Sequence, residues 1–362
     1  MVLFDDDTPT GRDTTVDSDA DTAVDSDADT TVDSDADTAV DSDADTAVDS
    51  DADAADTLDP QAQTVVDEVD TLGIPEWSAL GIESARRIED DVFAPVDAPD
   101  VERVTNIEIP GPAGAIPVRV YHPDPDQSPP VLVFFHGGLW AMGTLDSIDG
   151  VCRRLARRTG HVVVSVDYRL APEHPFPAGL EDCVRATEWV ADNATGIGAT
   201  PDRLAVAGTS AGGNLAAATC LYVREFGGPA IERQVLLYPM TDLSDDHDSL
   251  TENADGPLLT RRDVLWAHDT YLRSAVDRYN PFAAPLRADS HADLPPAYVV
   301  TAGFDPLRNE GTAYAAALDA AGVHVVHDHE PAMPHGFLSL TADVEAADVA
   351  LDRVADAVRD GV

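Results

Sequence analysis

Gly208-Thr-Ser210-Ala-Gly212 fits the pattern Gly-x-Ser-x-Gly. A serine hydroxyl is a weak nucleophile, and small residues on both sides let the chain turn sharply enough to present it. Such a serine needs a base, and the base needs an orienting carboxylate. For a serine on a strand-to-helix turn, the chain order is Ser, then Asp or Glu, then His. Asp305, in Thr301-Ala-Gly-Phe-Asp305-Pro-Leu, and His335, in Met333-Pro-His335-Gly-Phe337, satisfy that order. Asp328, Glu330 and Asp343 compete for the acidic place, and His327 and His329 for the basic one. Upstream, His136-Gly137-Gly138-Leu139-Trp140 offers a glycine turn. Backbone N–H groups in such a turn, with that of Ala211 after the serine, can face a developing oxyanion. Together these residues point to acyl transfer through a covalent intermediate. Neither Gly-x-Gly-x-x-Gly nor Gly-Lys-Ser/Thr occurs, so a phosphate cradle has no support.

The elements around these segments can be read from periodicity. Val101–Ile109 and Ala115–Tyr121 alternate and predict a β-hairpin through residues 110–114. Short apolar runs then alternate with helical stretches. Strands are predicted at Val131–Phe135, His161–Val166, Arg203–Ala207, Gln234–Leu237, Ala297–Thr301 and Val323–His327. Helices are predicted near 61–72, 84–93, 150–159, 178–193, 211–225, 262–272 and 310–321, with a last one ending near Arg359. Continuous apolar strands separated by helices indicate a mostly parallel sheet with helices on both faces. Ser210, Asp305 and His335 all follow strands, and sites of such sheets gather at strand C-terminal ends. The interval between Tyr238 and Pro295 is too long for a simple crossover and predicts a small subdomain.

Charge excludes several functions. The 362 residues carry 68 Asp+Glu against 22 Lys+Arg, a net of −46, and every cation is Arg. Such a chain is repelled by nucleic-acid phosphates and by anionic membrane surfaces. No apolar run approaches the ~18 residues of a transmembrane helix, and MVLFDDDTPT does not read as a secretory signal. A cytoplasmic location is expected. Cys152, Cys183 and Cys220 fall on predicted helices without metal-ligand spacing, so buried reduced thiols are expected and no metal.

Residues 1–56 hold −19 of the charge. From Asp13 to Ala52 the unit Asp-Thr-(Thr/Ala)-Val-Asp-Ser-Asp-Ala runs five times, with one Val per unit. That composition predicts a disordered tail over 1–57, ahead of one domain over 58–362. Asp17-Ser-Asp19-Ala-Asp21 has the spacing that opens a calcium loop, but Thr22 and Ala28 stand where the loop needs Gly and Glu. The remaining −27 lies in the domain itself. Self-repulsion of that size is screened at molar salt, where the Debye length falls to about 3 Å. The Lys-free, Asp-rich composition resembles proteins of extreme halophiles.

With these motifs assembled, residues from about 60 to the end resemble the hormone-sensitive-lipase-like family of α/β-hydrolase carboxylesterases. The segments that carry the resemblance are 136–140, Asp167-Tyr-Arg-Leu-Ala-Pro-Glu-His-Pro-Phe-Pro177, Gly208-Thr-Ser-Ala-Gly-Gly-Asn214, Asp305-Pro-Leu-Arg-Asn-Glu-Gly311 and Pro334-His-Gly-Phe337. The resemblance implies an α/β-hydrolase fold with Ser210 as nucleophile, His335 as base and Asp305 as its orienter. It implies oxyanion donors at Gly138, Leu139 and Ala211, with His136, Gly137, Gly208 and Gly212 supporting the motifs. It also implies a helical cap from about 58–98 and 242–285, esters of short to medium acyl chain as substrates, and no cofactor.

Two positions depart from the family. Leu139 stands where the pattern His-Gly-Gly-Gly ends, and Thr209 stands where many members have Asp. Leu139 keeps its N–H but cannot adopt glycine-only angles cheaply, so either the native angles there suit Leu or that donor is weakened. His174 reads as structural. Two other functions compete. The same triad can cleave amides, formamides or a carbamate, and a ligand receptor can use the same scaffold. A homo-oligomer stays open.

Overall fold

A computed structural model describes Ala55, residues 57–93 and residues 98–360. The acidic repeat lies outside the described residues, as do 94–97 within the expected cap segment. In chain order the elements open with helices α1 (Pro60–Thr71) and α2 (Ile82–Phe93) and the hairpin β1 (Arg103–Pro110) and β2 (Ala115–His122). They continue with β3 (Val131–Phe135), α3 (Asp149–Thr159), β4 (Val162–Val166), α4 (Ala178–Asn193), β5 (Leu204–Thr209), α5 (Ala211–Phe226) and β6 (Arg233–Leu237). The long interval holds α6 (Ser249–Glu252) and α7 (Arg261–Tyr271), and β7 (Ala297–Phe304), α8 (Arg308–Ala320), β8 (Val325–Pro334) and α9 (Glu345–Asp360) follow.

The eight strands form one sheet in the order β1-β2-β4-β3-β5-β6-β7-β8. β1 and β2 are antiparallel to each other, β2 is antiparallel to β4, and every later pair is parallel. Every residue of β3, β4, β5 and β6 is buried. Their apolar composition follows from helices on both sheet faces, and alternate residues serve opposite faces. Val131, Val133 and Phe135 pack with Leu180 of α4, Leu215 of α5 and Tyr314 of α8. Leu132 and Phe134 pack instead with Leu155 of α3 and Leu351 and Val354 of α9.

The last strand departs from its sequence reading. An end at His327 is expected, yet β8 continues to Pro334, with a register shift opposite Ala302 and Phe304 of β7. β8 is an edge strand, and most of its side chains are only half-buried or exposed. The backbone ladder to β7 holds its polar middle, His327-Asp-His-Glu330, which an apolar-run criterion misses. The extension carries the chain to the threshold of His335.

Beyond the ladder of β2 to β4, the hairpin is tied to the body by charge. Asp149, at the start of α3, is 7 % exposed. It accepts hydrogen bonds from Arg119 Nη1 at 2.9 Å and Tyr121 Oη at 2.8 Å, both on β2, and from Arg153 Nε on its own helix. Removing one partner of a buried charge network leaves the others desolvated and uncompensated. Asp149→Ala should therefore cost about 2–3 kcal/mol. Urea unfolding at fixed KCl measures this, and a loss below about 0.5 kcal/mol, the usual scale of a surface substitution, would contradict it.

Candidate active site

Ser210 sits between the last residue of β5 and the first of α5, with φ 54° and ψ −118°. Positive φ is uncommon for a residue with a Cβ and persists only where the surroundings over-determine it. Here the Ser210 amide donates to the Leu237 carbonyl of β6 at 2.8 Å, and the Ser210 carbonyl accepts from the Met240 and Asn214 amides. The flanking glycines are required by proximity. A Cβ at Gly208 would lie 2.2 Å from the Gly212 carbonyl oxygen, and one at Gly212 would lie 2.1 Å from the Phe135 carbonyl oxygen of β3. Helix α5 thus begins against the ends of two strands, with no room for a side chain.

The structure brings the three predicted groups together. His335 Nε2 lies 3.0 Å from Ser210 Oγ, and His335 Nδ1 lies 2.8 Å from Asp305 Oδ2. Asp305 is fully buried, and its Oδ1 accepts from the Leu307 amide at 2.8 Å. The Tyr238 ring meets the His335 imidazole edge-on, with centroids 5.0 Å apart. A carboxylate that accepts from Nδ1–H fixes the tautomer in which Nε2 can receive the serine proton. The geometry is that of a serine prepared for acyl transfer.

The competing groups are placed elsewhere. His327 Nε2 and His329 Nδ1 lie 2.8 and 2.9 Å from the Thr301 hydroxyl. Asp328 accepts from Tyr298 Oη at 2.6 Å and pairs with Arg353, and Glu330 also pairs with Arg353. Asp343 lines a neighbouring cavity that does not include His335.

His136, Gly137, Gly138 and Leu139 line the same cavity as Ser210 and His335. The buried His136 ring donates from Nδ1 to the Gly137 carbonyl at 2.7 Å and stacks on Tyr168 at 4.3 Å. Burial pushes its pKa down to about 4, so it is neutral and braces the loop. Leu139 and Trp140 both have φ 57°. The Ala141 amide donates to the Gly138 carbonyl at 3.0 Å, closing a turn with two positive φ values at its centre. Asn and Gly usually fill such primed turns. Leu139 therefore occupies a left-handed conformation that costs about 1–2 kcal/mol for a residue with a Cβ. Packing offsets that cost, since Leu139 is buried and the Trp140 ring lies flat on Tyr271 with centroids 4.1 Å apart.

The cavity above Ser210 measures about 680 Å³ out to its open mouth. Its other walls come from Trp77, from Phe93 of α2, from Met142 and Ile148, and from Leu258 and Leu259 ahead of α7. Arg86 of α2 fastens its helix to the loop beside Ser210. It donates to the carbonyls of Ala141 at 2.8 Å and Ala171 at 3.0 Å, and it pairs with Glu173. No sequence motif singles out the wall residues named above, and one titratable group on the wall is likewise unmarked. Glu89 of α2 is 7 % exposed, and burial, with Asp90 beside it, raises its pKa to about 7. The available signal was a Glu on the buried helical face, four residues after Ala85. The thiols of Cys152, Cys183 and Cys220 are free and buried. Among the described residues no cluster has the make-up of a metal site, and no helix is long and apolar enough to cross a membrane.

This geometry has close relatives. Esterase LipI of Mycobacterium tuberculosis is 46% identical over 285 residues, which span 77% of this chain and 88% of that one. Carboxylesterase NlhH of the same species is 46% identical over 243 residues, 66% of this chain and 76% of its own. Among solved structures, a hyperthermophilic esterase from Pyrobaculum calidifontis is 36% identical. It superposes with a TM-score of 0.80 over 84% of this chain and 98% of that one. Residues 132–339 match the family described as the α/β hydrolase fold, and the chain belongs to that family.

Proposed function

We propose that this protein hydrolyses carboxylic esters of short to medium acyl chain at Ser210, in a solvent of high salt. The observation that carries the reading is the unbroken hydrogen-bond chain from Asp305 through His335 to Ser210 on the wall of an apolar cavity. The esterases among its relatives support it. Ser210 Oγ attacks the ester carbonyl carbon while His335 Nε2 takes its proton. Negative charge moves to the carbonyl oxygen, which the amides of Gly138, Leu139 and Ala211 receive. The start of α5 adds the positive end of a helix dipole there. The intermediate collapses, His335 returns the proton to the departing alcohol, and Ser210 keeps the acyl group. Water, deprotonated by His335, then releases the acid. Asp305 stays ionised and holds the imidazole in place. The cap belongs to the same proposal: α2 and the segment around Leu258 close over the acyl group.

Salt adaptation rests on charge. The −27 of residues 57–362 leaves more acids than the Arg residues can pair, and most are exposed. We also place the protein in the cytoplasm, a reading with which the free thiols accord.

Hydrolysis of p-nitrophenyl acetate and butyrate in molar KCl tests the chemistry. Ser210→Ala should lower kcat at least about 10³-fold, and Asp305→Asn should do so by a similar order, because triad members act as a unit. Equal activity of wild type and Ser210→Ala would remove the assignment. Matched ester and amide substrates should show a preference for the ester. An acyl-length series repeated from about 0.1 to about 3 M KCl should show activity rising with salt as repulsion is screened. Deleting residues 1–56 should leave hydrolysis in high salt intact, and loss of activity would show that the tail takes part.

A further inference from the structure

Away from the triad and the loop beside it the cavity wall is mostly apolar, with Tyr238, Ser147, Ser339 and Glu89 as its polar members, and Glu89 the one carboxyl among them. Glu89 lines this wall, and its Oε2 is buried with no hydrogen-bond partner. Ser147 and Gly143 lie beside the carboxyl and favour its charged form, although the Ser147 hydroxyl itself donates to the Thr144 carbonyl at 3.3 Å, and no described Arg pairs with the carboxyl. Arg86, one turn earlier, is taken up by Ala141, Ala171 and Glu173. A carboxylate buried beside another acid, Asp90, and without a cation is costly, and either protonation or a cationic ligand relieves that cost. Two aromatic side chains, Trp77 and Phe93, line the same cavity, and the Trp77 Nε1 bond of 3.2 Å to the Leu258 carbonyl orients the indole. An acidic group with aromatic faces is the chemistry that binds an alkylammonium ion.

We propose that Glu89, with Trp77 and Phe93, forms a subsite for a protonated amine carried by the ester substrate. The proposal rests on the reading of Ser210 as the ester-cleaving nucleophile. The amine supplies the positive charge that the protein leaves out, and Glu89 binds it as a carboxylate. The acidic body favours approach of such a substrate over an anionic one. A pair formed inside the cavity is screened by salt far less than a surface pair, so it survives molar KCl.

The test uses substrate pairs of equal shape. One pair is 2-(dimethylamino)ethyl butyrate and 3-methylbutyl butyrate, with the amine on the alcohol side. The other is ethyl 4-(dimethylamino)butanoate and ethyl 5-methylhexanoate, with the amine on the acyl side. The readout is the ratio of kcat/KM for the amine over its carbon counterpart, at near-neutral pH and fixed KCl. In at least one pair Glu89→Gln should lower the ratio at least about tenfold, mainly through KM, as the loss of a desolvated charge contact requires. Trp77→Leu should lower it in the same pair, and it carries the test if Glu89→Gln does not fold. An unchanged ratio in both pairs, with folded variants, overturns the proposal. Ser210→Ala on 3-methylbutyl butyrate separates the two claims. Persistent hydrolysis there defeats the ester reading itself, whereas lost hydrolysis with unchanged ratios defeats the subsite alone.

Discussion

The first turn of α5 lies so close to the ends of β3 and β5 that no Cβ fits at Gly208 or Gly212. That approach sets the rest of the site. It forces Ser210 into a positive φ, lifts its hydroxyl above the sheet and directs the start of a helix at the space beside it. Because β3 runs directly into residues 136–140, the same junction positions the loop that carries the proposed oxyanion donors. Backbone bonds from Ser210 to Leu237 and Met240 hold the strained residue in register. The strain at Leu139 and Trp140 is held differently, by burial and by the Trp140–Tyr271 stack. Two kinds of scaffold, strand ladder and aromatic packing, meet at one cavity.

The charge of the molecule belongs to a different layer. Asp305 is buried and compensated by His335 and the Leu307 amide, and Asp149 by Arg119, Tyr121 and Arg153. Such groups are held by short local contacts that added salt barely alters. The surplus acids are at the surface, where their mutual repulsion depends on ionic strength. The proposed dependence on salt is thus a property of the shell, while the reacting groups operate in a medium of protein dipoles. Among the described residues three buried carboxyls have no Arg or His partner: Glu310 and Asp263 are held by backbone and hydroxyl donors, and Glu89 lies on the cavity wall with Oε2 unbonded.

How much the sequence reveals depends on how local the cause is. The turn at Gly208–Gly212 is legible because close approach demands glycine at fixed spacing. The order Ser210, Asp305, His335 is legible because each follows a strand end. The inner strands are legible because both of their faces are covered. The second half of β8 is hidden, since backbone pairing at an edge places no demand on side chains. The positive φ of Leu139 is hidden as well, because Leu and Trp do not advertise a primed turn and the stabilising Tyr271 is remote in sequence. Glu89 hides among Glu83, Asp90 and Asp91 on an acidic helix, and only docking of that helix buries it.

The central claim is that Ser210 is the nucleophile that the junction prepares. A fluorophosphonate probe, followed by peptide mass spectrometry in molar KCl, tests it directly. The account predicts one covalent adduct, on Ser210, formed in step with loss of ester hydrolysis and slowed by an ester substrate. Full inactivation with the adduct on another residue, or complete labelling of Ser210 with hydrolysis undiminished, would contradict it.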